Sequence, residues 1–154
     1  MTTKHKTCGK FEAEVEIHGS AEKFFDVFAT KAHTLPDASE RIHAIDLHKG
    51  NWKEPGSLKY WSYTTVEGEK ENFLERLEID EHKKVITMIG IEGHVMESCK
   101  SYKLSFCCVS DNQKPIVRIT IDYELRSPHH PPPKKYLPCV VKLVKEIDAF
   151  IADK

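Results

Sequence analysis

Excess positive charge is missing from this sequence. Lys and Arg total 23 against 24 for Asp and Glu, a net charge of −1. Such a balance gives no broad cationic field for nucleic acid or an acidic lipid surface, so no nucleic-acid partner is expected. Long apolar runs are missing too. The longest, Val85 to Ile91, falls far below the ~20 residues of a membrane span. Met1 to Cys8 contains no apolar segment and no small-residue cleavage site, so a secretory signal is not expected and a cytoplasmic location is. The five cysteines (Cys8, Cys99, Cys107, Cys108, Cys139) are odd in number and lack C-x-x-C spacing, which reads as free thiols in a reducing compartment. Nine histidines are scattered without H-x-x-x-H or H-E-x-x-H spacing, so neither a metal nor a cofactor is expected.

What remains is a globular composition, 40% hydrophobic and 31% charged, in a chain long enough for one core. One domain over residues 1–154 is expected. From Phe11 to His18 apolar and polar residues alternate, the period of a half-buried strand. Ser20 is a plausible N-cap for a short helix from Ala21, whose apolar face carries Phe24, Phe25, Val27 and Phe28 before Pro36 limits it. Asp37 to Glu40 offers one more helical turn. The period of two then returns near Ile42–His48, Ser57–Val66, Lys70–Asp80, Lys84–Ile91, Val95–Val109 and Ile116–Leu125. Connections such as Glu67-Gly68 and Asp111-Asn112 are short, which describes an antiparallel meander. Finally Tyr136, Val140, Leu143, Val144, Ile147, Phe150 and Ile151 recur at three and four, the stripe of a long amphipathic helix. Pro138 either begins that helix or kinks its first turn.

The expected class is therefore α+β. A seven-stranded curved antiparallel sheet grips a long C-terminal helix, with a short helix pair after the first strand. A helix about 10–12 Å wide cannot fill a grip built from such long strands. Trp61, Tyr63, Phe73, Tyr102, Phe106 and Tyr123 fall on the inner face by alternation, and they either border an internal cavity or interdigitate as solid core.

Several stretches carry a family resemblance in order and spacing: Gly9 to Val15, His48 to Ser57, Glu75-Arg76, Ile91 to Gly93, Cys99 to Tyr102, Asp122 to Glu124 and Lys145 to Asp148. The chain resembles the plant major latex proteins, within the wider family of the birch-pollen allergen and class-10 pathogenesis-related proteins. That resemblance implies the helix-grip (START-like) fold, and a cavity for steroids, cytokinins, flavonoids, fatty acids or alkaloid-like molecules. By position it places Phe28 and Leu35 near the mouth. Trp61, Tyr63, Phe73, Glu75 and Leu77 follow on the third and fourth strands, and Ile86 and Met88 on the fifth. Tyr102, Leu104 and Phe106 come from the sixth strand, and Tyr136, Val140 and Val144 from the helix.

The departures narrow the function. The family's glycine-rich loop keeps only Gly50 and Gly56, with Trp52 and Pro55 between, which argues against a phosphate cradle. No paired acid and base beside a basic groove supports a ribonuclease. Catalytic relatives resembling norcoclaurine synthase use a cavity lysine, a carboxylate and a tyrosine. Here the carboxylate position is Glu75, the tyrosine position is Phe73 and the lysine position is Ile86. Glu75 reads either as a partner of Arg76, a neighbouring strand or the helix, or as a ligand contact with a raised pKa. It is the first catalytic candidate if the protein is an enzyme. The expected function is binding of small hydrophobic or amphipathic plant metabolites by a monomer or weak homodimer. The alternative is a cyclase or isomerase steering a reactive iridoid, terpenoid or alkaloid intermediate.

Overall fold

Alternation along the N-terminal stretch lays down β1 over Cys8–Glu16, with Val15 buried and the glutamates between exposed, in a computed structural model that describes residues 7–152. β1 begins before Phe11 because Gly9 lies against Tyr123 of the neighbouring strand; a Cβ there would run into the tyrosine hydroxyl. Ser20 caps α1 (Ala21–Thr30), its hydroxyl accepting from the Lys23 N–H at 3.0 Å. Phe24, Phe25, Phe28 and Ala29 form the buried face of that helix. The chain then makes a 3-10 turn over Ala32–Thr34 and the four-residue α2 (Leu35–Ala38). Pro36 therefore does not limit α1, which ends at Thr30. It sits in the first turn of α2, where its missing N–H has no helical partner to lose.

Six further strands follow: β2 (Ile42–Lys49), β3 (Leu58–Thr64), β4 (Lys70–Asp80), β5 (Val85–Gly93), β6 (Cys99–Asp111) and β7 (Lys114–Leu125). They form one antiparallel sheet in the order β1-β7-β6-β5-β4-β3-β2. The β6–β7 hairpin turns on Asn112 and Gln113, both at positive φ, the geometry that matches the twist of the strands it joins. Several strand boundaries shift from the alternation reading, the start of β6 the most. Val95 does not open β6 but lies in a 3-10 turn over His94–Glu97. Val95 and Met96 are both buried, and two consecutive inward side chains break the period of two. Gly93, at φ 126°, makes the turn possible, since a Cβ there would press on the backbone of Asn72 and Phe73.

The curved sheet wraps α3 (Tyr136–Ala152), whose stripe of Tyr136, Val140, Val144 and Ile147 is buried. The helix starts two residues before Pro138. The proline therefore occupies its third position, among the N–H groups that have no helical acceptor. Polar side chains pin both ends of α3. At the far end the buried Asp148 carboxylate accepts the N–H groups of His18 (2.8 Å) and Gly19 (2.9 Å), tying the helix to the turn after β1. At the near end the Tyr136 hydroxyl donates to Glu71 of β4 at 2.6 Å. All five cysteines are free thiols. Burial pushes the Cys108 thiol up to about 12, with the neighbouring Cys107 adding to the shift, so it behaves as an inert core side chain.

Candidate functional site

Sheet and helix do not meet everywhere. Between them lies a cavity with an almost wholly apolar wall, in which about 100 Å³ can hold the centre of a water molecule. Phe28 of α1 closes one side, its ring 4.5 Å from that of Phe106 and 6.3 Å from that of Trp61. Edge-on contacts continue the wall, Phe73 to Tyr102 at 5.7 Å and Tyr102 to Tyr136 at 6.2 Å. Met88, Leu104, Val140 and Tyr63 complete the group of expected residues that the structure brings to this wall.

Five other expected residues lie elsewhere. Leu35, Leu77, Ile86 and Val144 are packed within the core at 1% exposure or less, and none of them borders the cavity. Glu75 is also inward and only 1% exposed, but it too lies outside the wall. Alternation assigns a residue to a face of a strand. It does not say how far along the strand the opposing helix fills the space.

The fate of Glu75 is set by a residue that sequence reasoning passed over. Lys59 on β3 stands directly across from it in register, equally buried, with its Nζ 3.5 Å from Oε1. The Trp61 indole N–H donates to the same oxygen at 3.3 Å, while Oε2 is buried without a partner. Burial holds this carboxyl above the usual carboxylate range, although the Lys59 charge and the two donors pull the other way. Lys59 shares strand parity with Trp61 and Tyr63, and that parity was the available signal. A lysine at such a position normally carries its charge out to water along its own stem.

A second carboxylate braces the opposite end. Glu71 accepts from Tyr136 at 2.6 Å, Tyr63 at 3.2 Å and Lys135 at 3.0 Å. Burial alone would raise its carboxyl, yet these three donors and the Lys135 charge together hold it below the usual range. The Tyr63 and Tyr136 hydroxyls are in turn pushed far up, by burial first and then by Glu71. They remain donors to Glu71, so both tyrosines offer the cavity their rings.

The wall also holds residues that the apolar pattern did not mark: Ser39 and Arg41 before β2, Thr64 at the end of β3, and Cys139 and Glu146 on α3. Ser39 donates to Glu146 at 3.1 Å and accepts the Arg41 backbone N–H at 3.3 Å, joining helix and sheet at the rim. Among the described residues, no His, Cys, Asp or Glu cluster could hold a metal ion. No helix among them is long and apolar enough to cross a membrane.

Comparison with known proteins places this geometry. The model of the pathogenesis-related protein Bet v 1 family matches residues 6–154. MLP-like protein 328 of Arabidopsis thaliana is 35% identical over 147 residues, spanning 94% of this chain and 97% of that relative. Ginseng major latex-like protein 151 from Panax ginseng superposes with a TM-score of 0.89 at 28% identity, over 94% of this chain and 97% of its own. Norcoclaurine synthase from Thalictrum flavum matches with a TM-score of 0.71 over 97% of this chain and 90% of its own. At 16% identity that is a likeness of fold alone.

Proposed function

The chain belongs to the pathogenesis-related protein Bet v 1 family, and on that premise we propose that it binds small hydrophobic or amphipathic plant metabolites in the cavity between sheet and α3. The observation that carries the reading is the apolar wall of contacting aromatic rings around empty space. A ligand burying roughly 400 Å² of apolar surface gains ~10 kcal/mol gross at ~25 cal/mol/Å². Association costs of roughly 4 kcal/mol or more leave a micromolar binder at best. Ring faces with few directional groups favour several ligands of similar shape over one. Cytoplasmic uptake and shielding of reactive or poorly soluble compounds fit such a site.

The expected catalytic candidate, Glu75, and the Lys59 paired with it lie outside the cavity wall, and Trp61 stands at that wall with its indole tied to Glu75. Binding therefore ranks ahead of catalysis. Native mass spectrometry of the chain mixed with neutral ring compounds of graded size tests the reading. One-to-one complexes are expected for the smaller compounds, with a fall-off once a compound outgrows the cavity. Absence of any one-to-one complex across the series would refute it.

A further inference from the structure

The cavity wall is apolar except for a handful of polar side chains, and nearly all of those are already engaged. Tyr63 and Tyr136 donate to Glu71. Thr64 meets His43 at 2.6 Å. The Cys139 thiol lies between the Val66 N–H and the Lys135 carbonyl. Ser39 is shared between Glu146 and the Arg41 backbone. The exceptions are the Tyr102 hydroxyl, which makes no hydrogen bond, and Arg41. Arg41 is half-buried and lines the cavity as a residue, and its Nη1, sealed from water beside that space, has no hydrogen-bond partner. A guanidinium cannot lose its charge to escape such a setting, and a buried charged donor left unpaired is among the more costly features a fold can keep. Glu146, the carboxylate of the wall, forms no ion pair with it, and its Oε1 is committed to Ser39. No oxygen acceptor of the wall reaches the Arg41 Nη1.

We propose that Arg41 is the specificity-determining residue of the cavity and that it selects apolar carboxylic acids, bound as carboxylates. The proposal rests on the binding reading above and names its ligand class. The planar fork of an arginine matches the two oxygens of a carboxylate, and a charge-assisted bond is roughly twice as strong as a neutral one. The apolar body of the acid lies against Phe28, Trp61, Tyr102 and Phe106, while its carboxylate stays at the rim between β2 and α3. The small volume selects compact ring acids over long chains. Glu146 opposes the bound carboxylate by like charge, so it limits the affinity that Arg41 supplies.

Two probes of nearly equal shape separate this proposal from the reading beneath it: 2-naphthoate and the neutral 2-naphthalenemethanol, titrated by calorimetry at pH 7. The parent is expected to bind the acid about tenfold or more tighter than the alcohol. Arg41→Gln should abolish that preference while leaving alcohol affinity within about threefold, because apolar contact is unchanged. Glu146→Gln should tighten the acid alone. If Arg41→Gln does not fold, Arg41→Lys keeps the charge without the fork and should lose most of the preference. Equal binding of acid and alcohol by the parent overturns the proposal and leaves the cavity reading intact. Equal loss of both probes in Arg41→Gln assigns Arg41 a structural role and also overturns it. Failure of both probes to bind the parent removes the proposal and the cavity reading together.

Discussion

Removing the amine from the buried Lys59–Glu75 pair should cost far more than removing the whole pair. In Lys59→Met the Glu75 carboxylate keeps only the Trp61 N–H at 3.3 Å, with Oε2 already unpartnered and the side chain 1% exposed. Breaking a buried ion pair from one side typically costs ~3–5 kcal/mol, whereas replacing both members with apolar residues of similar volume is often neutral or stabilising. At about 2–4 °C per kcal/mol for a chain of this size, Lys59→Met should lower Tm by roughly 6–20 °C. Lys59→Met with Glu75→Met should recover most of that loss. The single variant should suffer most at high pH. Its stranded carboxyl, raised by burial above the ordinary 4.5, can take up a proton as pH falls and so relieve the loss. Urea denaturation of parent, singles and double closes the cycle. A Lys59→Met loss below about 1 kcal/mol would place the lysine head in solvent, and a double variant no better than the single would assign the loss to packing rather than charge.

The second brace makes an opposite pH prediction. Glu71 is held below the ordinary carboxylate value of 4.5, so the stability it contributes is present above that value and is lost as pH falls through its lowered pKa. Glu71→Gln should therefore be less stable than the parent at pH 7 by roughly 1–3 kcal/mol, with the difference narrowing progressively as pH falls below 4.5, in denaturation curves taken at descending pH. A constant difference at every pH would contradict the assignment. At the far end of α3, Asp148→Ala leaves the His18 and Gly19 N–H groups without their acceptor and should cost about 1–3 kcal/mol. His18→Ala should cost little, since that ring is 95% exposed. Equal losses in the two variants, measured by urea denaturation, would refute the backbone latch.

The architecture was legible because period and face suffice for it. Alternation in β3, β4 and β6 put Trp61, Phe73, Tyr102 and Phe106 inward, and the stripe of α3 put Tyr136 and Val140 opposite them. Depth along a strand was not legible, and it separates Met88 at the cavity from Ile86 one pleat away in packed core. The buried charges were half visible. Glu71 shares parity with Phe73 and Glu75, and Lys59 with Trp61, but a charged residue at an inward position reads as a strand end or a snorkelling stem until its cross-strand partner is known. Ser39 and Arg41 come from a turn without period, and Glu146 lies beside the apolar stripe of its helix, so their convergence at one rim is a product of tertiary packing.

The account turns on the space beneath Phe28 and Val140 being where a ligand goes. Calorimetric titration of the neutral probe 2-naphthalenemethanol into the parent and into Val140→Phe tests this most directly. Val140 faces the cavity from α3, so the larger ring should occupy the void. The parent should take up one probe per chain with micromolar affinity. Val140→Phe should bind at least about tenfold more weakly, through lost apolar burial, with its circular dichroism unchanged. A folded Val140→Phe that binds the probe as tightly as the parent would place the site elsewhere on the molecule and contradict the account.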